Sequence, residues 1–367
     1  MTFYFLILFG CYLSLLLLLR WGWTRAVVPR EVTVDKKIFL SLVVPFRNEE
    51  QKLPALIVSL SQQSYPAACY ETIFVNDHST DGSCQIIDQL RGERLNVTLT
   101  HTDGVGKKSA LAHGIGLAKG EIIVTTDADC TVPPTWLERI NASFHRSHVD
   151  MSAGMVSILP ERSLFSRWQS MEFASVMGTG AAAFGLHMPM MCNGANLSFR
   201  KKTFHDVGGY DGNLHVASGD DEFLMRKFLR RRPDSVQLLN TSGSRVLTAP
   251  QPSFSAFLFQ RIRWASKWNA NPSAPAKLLA VFIWLVQVSW VVLPFTWTLQ
   301  DHRVVLGLVA AKVLGDLFFL LPVFRELKIK FEVMPFVVLQ FLYPFYVIFV
   351  GILSPWIPYR WKDRKIL

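Results

Sequence analysis

The sequence contains an acidic pair, Asp127 and Asp129, which is separated by one alanine and directly follows a predicted strand. Two carboxylates at this spacing can bring oxygen ligands to one hard cation, and Mg²⁺ or Mn²⁺ prefers a few carboxylates together with substrate phosphates. Such a cation would neutralise a diphosphate as it leaves. A turn or a helix cap before Pro133 would use the same pair, and both interpretations stay open.

Three consecutive acids, Asp220, Asp221 and Glu222, follow Gly219. Their mutual repulsion predicts that the pKa of at least one of them is raised, and a carboxylate tuned in this way can act as a general base toward an acceptor hydroxyl. The alternative is the acidic first turn of a helix, where negative charge interacts favourably with the helix dipole.

Two further segments carry polar groups suited to a nucleotide. Asp77 could accept a hydrogen bond from a nucleobase, while Asp81 caps the helix that follows. The segment 104–108 lacks the spacing of a P-loop, but its glycines allow close backbone approach, and Lys107 could meet a phosphate or base oxygen. A solvated lysine pair is the alternative for this segment.

Residues 254–268 place Phe, Leu and Trp side chains between Arg261, Arg263 and Lys267. This mixture is typical of an amphipathic helix at a membrane interface. The segment lies shortly before the first of three long apolar runs in the C-terminal part of the chain.

Strand-like and helical patterns alternate between residues 38 and 144. This alternation predicts an α/β fold with right-handed crossovers, a mostly parallel sheet and helices on both faces. The predicted strands are 38–45, 71–76, 95–100 and 121–126, and the main predicted helices are 49–62, 107–118 and 133–144. Parallel sheets bind ligands at the carboxyl ends of their strands. The candidate residues follow predicted strand ends: Asn48, Glu49, Asp77, Asp127 and Asp129.

Four apolar runs predict an integral membrane protein, at residues 3–19, 278–299, 304–324 and 333–353. Each of the last three is long enough to cross a bilayer core, which takes about 20 helical residues. No basic residue precedes the first run, whereas Arg20, Arg25 and Arg30 follow it, so we expect an uncleaved anchor with the next domain in the cytoplasm. In a bacterium this would be the inner membrane. Prolines leave open whether the last run crosses fully: Pro335, Pro344 and Pro355.

The composition narrows the class of partner. The formal charge of +10 suits contact with anionic lipid and a diphosphate donor, whereas the scattered basic residues do not favour nucleic-acid binding. Five cysteines without a C-x-x-C pair disfavour a disulfide framework or a zinc site. The predicted parts are an anchor at 1–24, a catalytic domain at 36–250, an interfacial segment at 251–276 and a C-terminal membrane region at 277–367.

Taken in order, these motifs resemble the family 2 inverting glycosyltransferases of the GT-A fold. The resemblance is to the membrane branch that contains ceramide glucosyltransferases and the chitin, cellulose, hyaluronan and poly-N-acetylglucosamine synthases. It covers residues from about 40 to 268 and rests on residues 43–49 (Val-Val-Pro-Phe-Arg-Asn-Glu), Asp77, residues 106–111 (Gly-Lys-Lys-Ser-Ala-Leu), Asp129, residues 194–196 (Gly-Ala-Asn), Asp221, Gln260, Arg263 and Trp264.

The resemblance implies a donor site for a nucleotide sugar, most simply a UDP-sugar. Asp77 would hold the uracil with Lys107 nearby, and Asp129 together with Asp127 would bind Mg²⁺ or Mn²⁺ and the diphosphate. The opening strand and turn would complete this site with Pro45, Asn48 and Glu49.

The resemblance also implies the groups that act on the acceptor. Asp221 would be the general base, preceded by Asp220 where many members have Glu, and Arg263 would steady the leaving diphosphate. The acceptor side would be formed by Gln260, Trp264 and the loop of Asn196. The acceptor would be a lipid or a growing envelope glycan.

The sequence leaves other functions open. One alternative is a processive synthase subunit. Three C-terminal runs are few for a polysaccharide channel, so such a subunit would form a homo-oligomer or bind a partner subunit. A non-catalytic nucleotide-binding membrane subunit is a further alternative. A transporter is disfavoured, because the C-terminal runs contain only Lys312 and Asp316 as acidic or basic residues, at the i, i+4 spacing of a structural pair.

Overall fold

The computed structural model of the 367-residue chain describes residues 2–27, 34–89, 96–159, 163–212, 219–241, 243–266, 274–297, 301–354, 356, 360–361 and 364–365. Four residues used in the predictions, Arg30, Leu95, Lys267 and Pro355, lie outside these ranges.

The helices in chain order are α1 Thr2–Ala26, α2 Leu53–Ser61, α3 Ser83–Asp88, α4 Lys107–Leu117, α5 Trp136–Phe144, α6 Leu164–Gly185, α7 Lys201–Asp206, α8 Asp220–Arg231, α9 Phe254–Ser266, α10 Ala274–Val292, α11 His302–Glu326 and α12 Val333–Leu353. The strands are β1 Leu40–Phe46, β2 Tyr70–Asn76, β3 Val97–His101, β4 Ile122–Thr125, β5 Cys130–Thr131, β6 Met151–Gly154, β7 Val156–Ile158, β8 Leu197–Arg200, β9 Val236–Leu239, β10 Val246–Thr248, β11 Arg360–Trp361 and β12 Arg364–Lys365. Short 3₁₀ turns lie at Ala67–Cys69, Gly194–Asn196 and Leu293–Thr296.

The chain forms two compact units. The sheet unit comprises Val27–Ser157, Met191–Ala249 and Trp361–Leu367, and the helical unit comprises Met1–Ala26, Ile158–Met190 and Pro250–Arg360. This grouping places α6 with the apolar helices, whereas the domain prediction from the sequence counted residues 36–250 as one domain.

A seven-stranded sheet with the order β3-β2-β1-β4-β8-β6-β9 is the centre of the sheet unit. Strand β1 pairs in parallel with β2 and with β4, and β8 is antiparallel to both of its neighbours, β4 and β6. Because β2 pairs in parallel with β3 and β6 with β9, six of the seven strands run in one direction. The predicted α/β fold with a mostly parallel sheet is confirmed.

The core of this sheet is apolar, and helix α4 packs closely on it. All seven residues of β1 and all seven of β2 are buried. A Cβ added at Gly114 of α4 would lie 2.6 Å from Val43 and 2.8 Å from Val75, so glycine lets the helix approach the sheet. The loops that follow β1, β2 and β4 are thereby held at one edge.

The helix predicted at 49–62 begins four residues later, at Leu53. The preceding residues form a turn, in which the Glu49 carbonyl accepts hydrogen bonds from the backbone N–H groups of Lys52 and Leu53. Asn48 has φ of 50°, a left-handed conformation that Asn tolerates better than most residues. The difference therefore lies in a turn at the edge of the sheet where β1, β2 and β4 end.

In the helical unit, four of the described helices are long and apolar enough to cross a membrane. They are Thr2–Ala26, Ala276–Thr296, His302–Glu326 and Val333–Leu353. The last is one continuous helix that includes Pro344, and its 21 residues span about 31 Å at 1.5 Å per residue. One N-terminal and three C-terminal apolar helices agree with the predicted membrane protein.

The predicted pair between Lys312 and Asp316 is present in α11, with Nζ 3.0 Å from Oδ2, and both side chains are buried. Tyr12 donates to Asp316 Oδ1, and Gln340 donates to Asp316 Oδ2. The pair thus joins α1, α11 and α12. All five cysteines are free thiols.

Candidate active site

The end of β2 is tied to the glycine loop before α4 by the buried side chain of Asp77. Its Oδ2 accepts a hydrogen bond from the Gly106 N–H at 3.1 Å, and its Oδ1 lies 3.1 Å from His78 Nδ1. Arg47 Nη1 donates to the backbone carbonyls of Asp77 and His78, both at 2.8 Å. Asp77 therefore shapes this loop as well as the strand end.

The turn after β1 is joined to the turn after β2. Asn48 Oδ1 accepts from the Thr80 N–H at 2.8 Å, and the Glu49 N–H donates to Ser83 Oγ at 2.9 Å. Pro45, three residues before Asn48, is buried within β1. The predicted donor-binding residues of the opening strand thus lie beside the Asp77 segment.

The carboxylates of Asp127 and Asp129 follow β4 and each meet a lysine. Asp127 Oδ1 lies 2.6 Å from Lys107 Nζ, and Asp129 Oδ2 lies 3.7 Å from Lys52 Nζ. Lys52 also approaches Glu49 Oε2 at 3.8 Å. The Asp127 side chain is 35% exposed and that of Asp129 25%, so both retain access to solvent.

Lys107 also meets the acids that begin α8. Its Nζ lies 3.3 Å from Asp220 Oδ2, and the side chain of Asp220 is 12% exposed. Asp221 Oδ2 accepts from the Gly194 N–H at 3.0 Å, and its Oδ1 accepts from the Glu222 N–H at 2.6 Å. A Cβ at Gly194 would be 2.9 Å from Asp220 Oδ2 and 3.3 Å from Lys107 Nζ, so glycine permits this close grouping.

The charges in this cluster control one another. Burial disfavours the charged form of Asp220, but Lys107 and Lys108 outweigh burial and hold the pKa of Asp220 below its ordinary value. Burial also opposes the Lys107 ammonium, but Asp127 and Asp220 outweigh it and raise the pKa of Lys107. The rise in pKa predicted for at least one of the three acids does not occur at Asp220, because the lysines supply the opposite charge.

Asn196 is buried, and its amide is engaged within the protein. Its Oδ1 accepts from Trp136 Nε1 at 2.9 Å, and its Nδ2 donates to the carbonyls of Met155 at 2.9 Å and Ser244 at 2.8 Å. These bonds hold the turn that contains Gly194.

The second part of the predicted site, Gln260, Arg263 and Trp264, lies on α9 in the helical unit. Gln260 Oε1 accepts from Arg261 Nη1 at 2.6 Å, and the Arg261 guanidinium lies 4.3 Å from the ring centre of Trp264. Arg261 forms an ion pair with Glu172 of α6.

Residues 41–208 match the sequence model of the family described as Glycosyl transferase family 2. This stretch is a family 2 glycosyltransferase domain. The 4,4'-diaponeurosporenoate glycosyltransferase of Staphylococcus haemolyticus is 30% identical over 254 residues, which cover 67% of this chain and 66% of that relative. An undecaprenyl-phosphate 4-deoxy-4-formamido-L-arabinose transferase of Aeromonas hydrophila is 34% identical over 110 residues, 28% of this chain and 32% of that relative. The predicted enzyme class, glycosyltransferase, is confirmed.

Among solved structures, the chain resembles the mannosyltransferase PcManGT from Pyrobaculum calidifontis in complex with GDP-Man and Mn2+. The TM-score is 0.64 at 17% sequence identity, and the match covers 96% of this chain and 98% of that one. At this identity the likeness concerns the fold alone, and it extends over the helices as well as the glycosyltransferase domain.

The described part of the glycosyltransferase domain does not offer a metal cage. Among the described residues, no group of three or more His, Cys, Asp and Glu side chains is arranged to hold a metal ion. The partly exposed carboxylates of Asp127 and Asp129 fit a different kind of site, in which Mg²⁺ or Mn²⁺ takes one or two carboxylates and the phosphates of a substrate.

Sequence reasoning missed three charged residues that contact the candidate site residues of this glycosyltransferase. They are Arg47, Lys52 and Arg261, the last of which binds Gln260 of α9. Arg47 lies within the motif at residues 43–49, and Arg261 lies between Gln260 and Arg263. These positions inside the motifs could have indicated that both residues contact the site. Lys107 directly follows Gly106, whose N–H binds Asp77, and its ammonium meets Asp127 and Asp220.

Proposed function

We propose that this protein transfers a sugar, with inversion, from a nucleotide-sugar donor to a lipid or envelope-glycan acceptor at the membrane. The observation that carries the proposal is the cluster in which Lys107 meets Asp127 after β4 and Asp220 at the start of α8. A candidate donor-side acid and the loop of the candidate base are thereby brought together within the sheet unit.

The donor is assigned to the edge where β1, β2 and β4 end, with a UDP-sugar as the first candidate. Asp77 is assigned to the nucleobase, since a carboxylate oxygen can accept more than one hydrogen bond. Its side chain is buried, so contact with a base requires a shift of the neighbouring His78, whose side chain is 45% exposed. The turn of Asn48 and Glu49 forms the adjoining wall.

Asp127 and Asp129 would hold Mg²⁺ or Mn²⁺ together with the donor diphosphate. When bound, the cation neutralises charge that develops on the leaving diphosphate. Lys107 adds positive charge beside Asp127. The role of Arg263 toward the diphosphate stays a prediction from its motif.

Asp221 is assigned as the general base for the acceptor hydroxyl. Backbone N–H groups of Gly194 and Glu222 donate to its two oxygens and fix its orientation. In an inverting transfer the acceptor oxygen attacks the anomeric carbon opposite the leaving group, so one base and one leaving-group stabiliser suffice without a covalent intermediate. Asp220 stays ionised beside it, because Lys107 and Lys108 keep its pKa low.

The acceptor is assigned to the α9 motif through Gln260 and Trp264. Helix α9 belongs to the same unit as the four apolar helices, which suits an acceptor carried in the bilayer. The undecaprenyl-phosphate transferase from Aeromonas is named for a lipid phosphate, which supports this class of acceptor. For Asn196 we propose a supporting role, because its amide groups already bind Trp136, Met155 and Ser244.

The sheet unit is assigned to the cytoplasm. Arg20 and Arg25 lie in the last turns of α1, next to the chain that enters the sheet unit, and basic residues favour the cytoplasmic side.

The test is release of nucleotide and transfer of sugar from a panel of UDP- and GDP-sugars by the purified protein in detergent. Lipid extract serves as acceptor, and reactions contain Mg²⁺, Mn²⁺ or a chelator. One donor is expected to react in a metal-dependent way. No release from any donor, with every lipid fraction and cation tried, would contradict the proposal.

Asp221→Asn is expected to lower the transfer rate by about 10²- to 10⁴-fold, the usual contribution of a general base, while donor binding is retained. Calorimetric titration with the reacting donor measures the binding. The matched control is Asp206→Asn on α7, a surface acid paired with Lys202 and Arg231, for which we expect a change within about twofold. Equal rates for the two variants would remove Asp221 from the mechanism.

A further inference from the structure

A buried ion pair in the helical unit takes no part in the mechanism above. Arg261 of α9 is 6% exposed and Glu172 of α6 is 1% exposed. Arg261 Nε lies 3.1 Å from Glu172 Oε1, and its Nη2 pairs with Oε2, so the contact is bidentate. Tyr346 of α12 donates its hydroxyl to Glu172 Oε1 at 2.6 Å. The cluster therefore joins three helices.

The same guanidinium contacts the two motif residues assigned to the acceptor. Arg261 Nη1 donates to Gln260 Oε1 at 2.6 Å. The guanidinium carbon Cζ of Arg261 also lies 4.3 Å from the ring centre of Phe257 and 4.3 Å from that of Trp264. The Arg261 guanidinium thus forms an ion pair with Glu172, a hydrogen bond with Gln260 and a ring contact with Trp264.

We propose that Glu172 and Arg261 are positioning residues that hold Gln260 and Trp264 in the arrangement that receives the acceptor. Tyr346 orients Glu172 within this group. The inference rests on the proposed function, since it assumes an acceptor at the α9 motif.

A contribution to folding stability does not by itself explain the buried ion pair between Glu172 and Arg261. Replacing a buried ion pair by apolar side chains of similar size is often neutral or stabilising, whereas removing one partner leaves an uncompensated charge. What an apolar replacement cannot supply is the planar fork that binds an amide oxygen, a carboxylate and an aromatic ring together. The geometry of Arg261 thus points to the orientation of its neighbours.

The first test replaces the whole group by apolar residues in the full-length protein: Glu172→Met, Arg261→Met and Tyr346→Phe combined. The triple variant is expected to keep the thermal unfolding temperature and the donor hydrolysis that occurs without acceptor. Transfer to lipid extract, measured as kcat/KM for the acceptor, is expected to fall about tenfold or more. A folded triple variant with wild-type transfer would overturn the proposal.

The second test is Arg261→Lys, which keeps the charge beside Glu172 but loses the fork and is expected to fold. The acceptor KM is expected to rise about tenfold while the donor KM is unchanged. Arg167→Lys is the control, because Arg167 forms an ion pair with Glu332 in the same unit at 2.8 Å and does not belong to the α9 motif. If the triple variant fails to fold, this variant decides, and an unchanged acceptor KM overturns the proposal.

Transfer by the wild-type protein distinguishes a failure of the positioning role from a failure of the proposed function. Wild-type transfer together with normal acceptor use by Arg261→Lys would reject the positioning role alone. Absence of transfer by the wild-type protein from every donor would reject the proposed function and this inference with it.

Discussion

Lys107 joins the candidate donor groups to the candidate base loop. It lies 2.6 Å from Asp127 and 3.3 Å from Asp220, and these two acids are far apart in the sequence. Burial works against the ammonium and against the Asp220 carboxylate, so each depends on the other for its charge. A change at Lys107 should therefore be visible as a change in pH dependence.

Lys107→Met is expected to raise the pKa of Asp220, because burial then acts with less opposing positive charge. In the wild-type protein the ionised form of Asp220 is present at neutral pH and is lost only as the pH falls through its lowered pKa. In the variant the acid limb of the pH–rate profile for sugar transfer should move to higher pH. Initial rates between pH 4 and pH 9 provide the measurement.

Lys119→Met is the control for charge removal, since Lys119 is an exposed residue just beyond the end of α4. Its acid limb should coincide with that of the wild-type enzyme. Coincident profiles for Lys107→Met and the wild-type enzyme would show that Lys107 does not govern the ionisation of Asp220 during turnover.

At the scale of elements, α1 and α6 approach closely where both carry small residues. A Cβ added at Gly22 of α1 would collide with the carbonyl oxygen of Ala182 and lie 2.7 Å from Leu186 Cγ. A Cβ at Gly185 of α6 would collide with the carbonyl of Gly22. Such contacts between small residues allow two helix backbones to pack against each other in a membrane.

Gly22→Ala is expected to destabilise the protein by about 1–3 kcal/mol, the usual cost of overpacking. The matched control is Gly10→Ala in the same helix, where an added Cβ meets nothing within 4 Å. Thermal unfolding of both variants in detergent gives the comparison. Equal unfolding temperatures for the two would show that α1 and α6 do not approach closely at Gly22.

At the scale of the whole molecule, the described residues include four long apolar helices beside the matched glycosyltransferase domain. The proposed reaction joins a soluble donor to an acceptor that the membrane carries, so the enzyme has to reach substrates in two phases. The side of the membrane on which the domain lies then decides which nucleotide-sugar pool it meets.

Trypsin is expected to cleave the sheet unit in inverted membrane vesicles and to leave it intact in right-side-out vesicles. Lys202 offers a cleavage site, since its side chain is 82% exposed. Immunoblotting of the fragments, with detergent-opened vesicles as the control for accessibility, reads the result. Cleavage in right-side-out vesicles would reverse the proposed orientation.

The sequence was sufficient for the features that depend on local pattern. Runs of β-branched and apolar residues predicted β1 to β4, and the acids that follow β1, β2 and β4 had to lie at one edge once these strands were parallel. The length of the apolar runs predicted the four long helices. The pairing of Lys312 with Asp316 was also predictable, because one helical turn separates them.

Only the tertiary structure decided which distant charges meet. Arg261 and Glu172 are 89 positions apart, and no periodicity connects them. Mutual repulsion predicted a raised pKa for at least one of the three adjacent acids, whereas the fold places Lys107 beside Asp220 and lowers the pKa of that residue. Sequence patterns report local geometry, whereas ionisation depends on burial and on charges within a few ångströms, which strand order and helix packing determine.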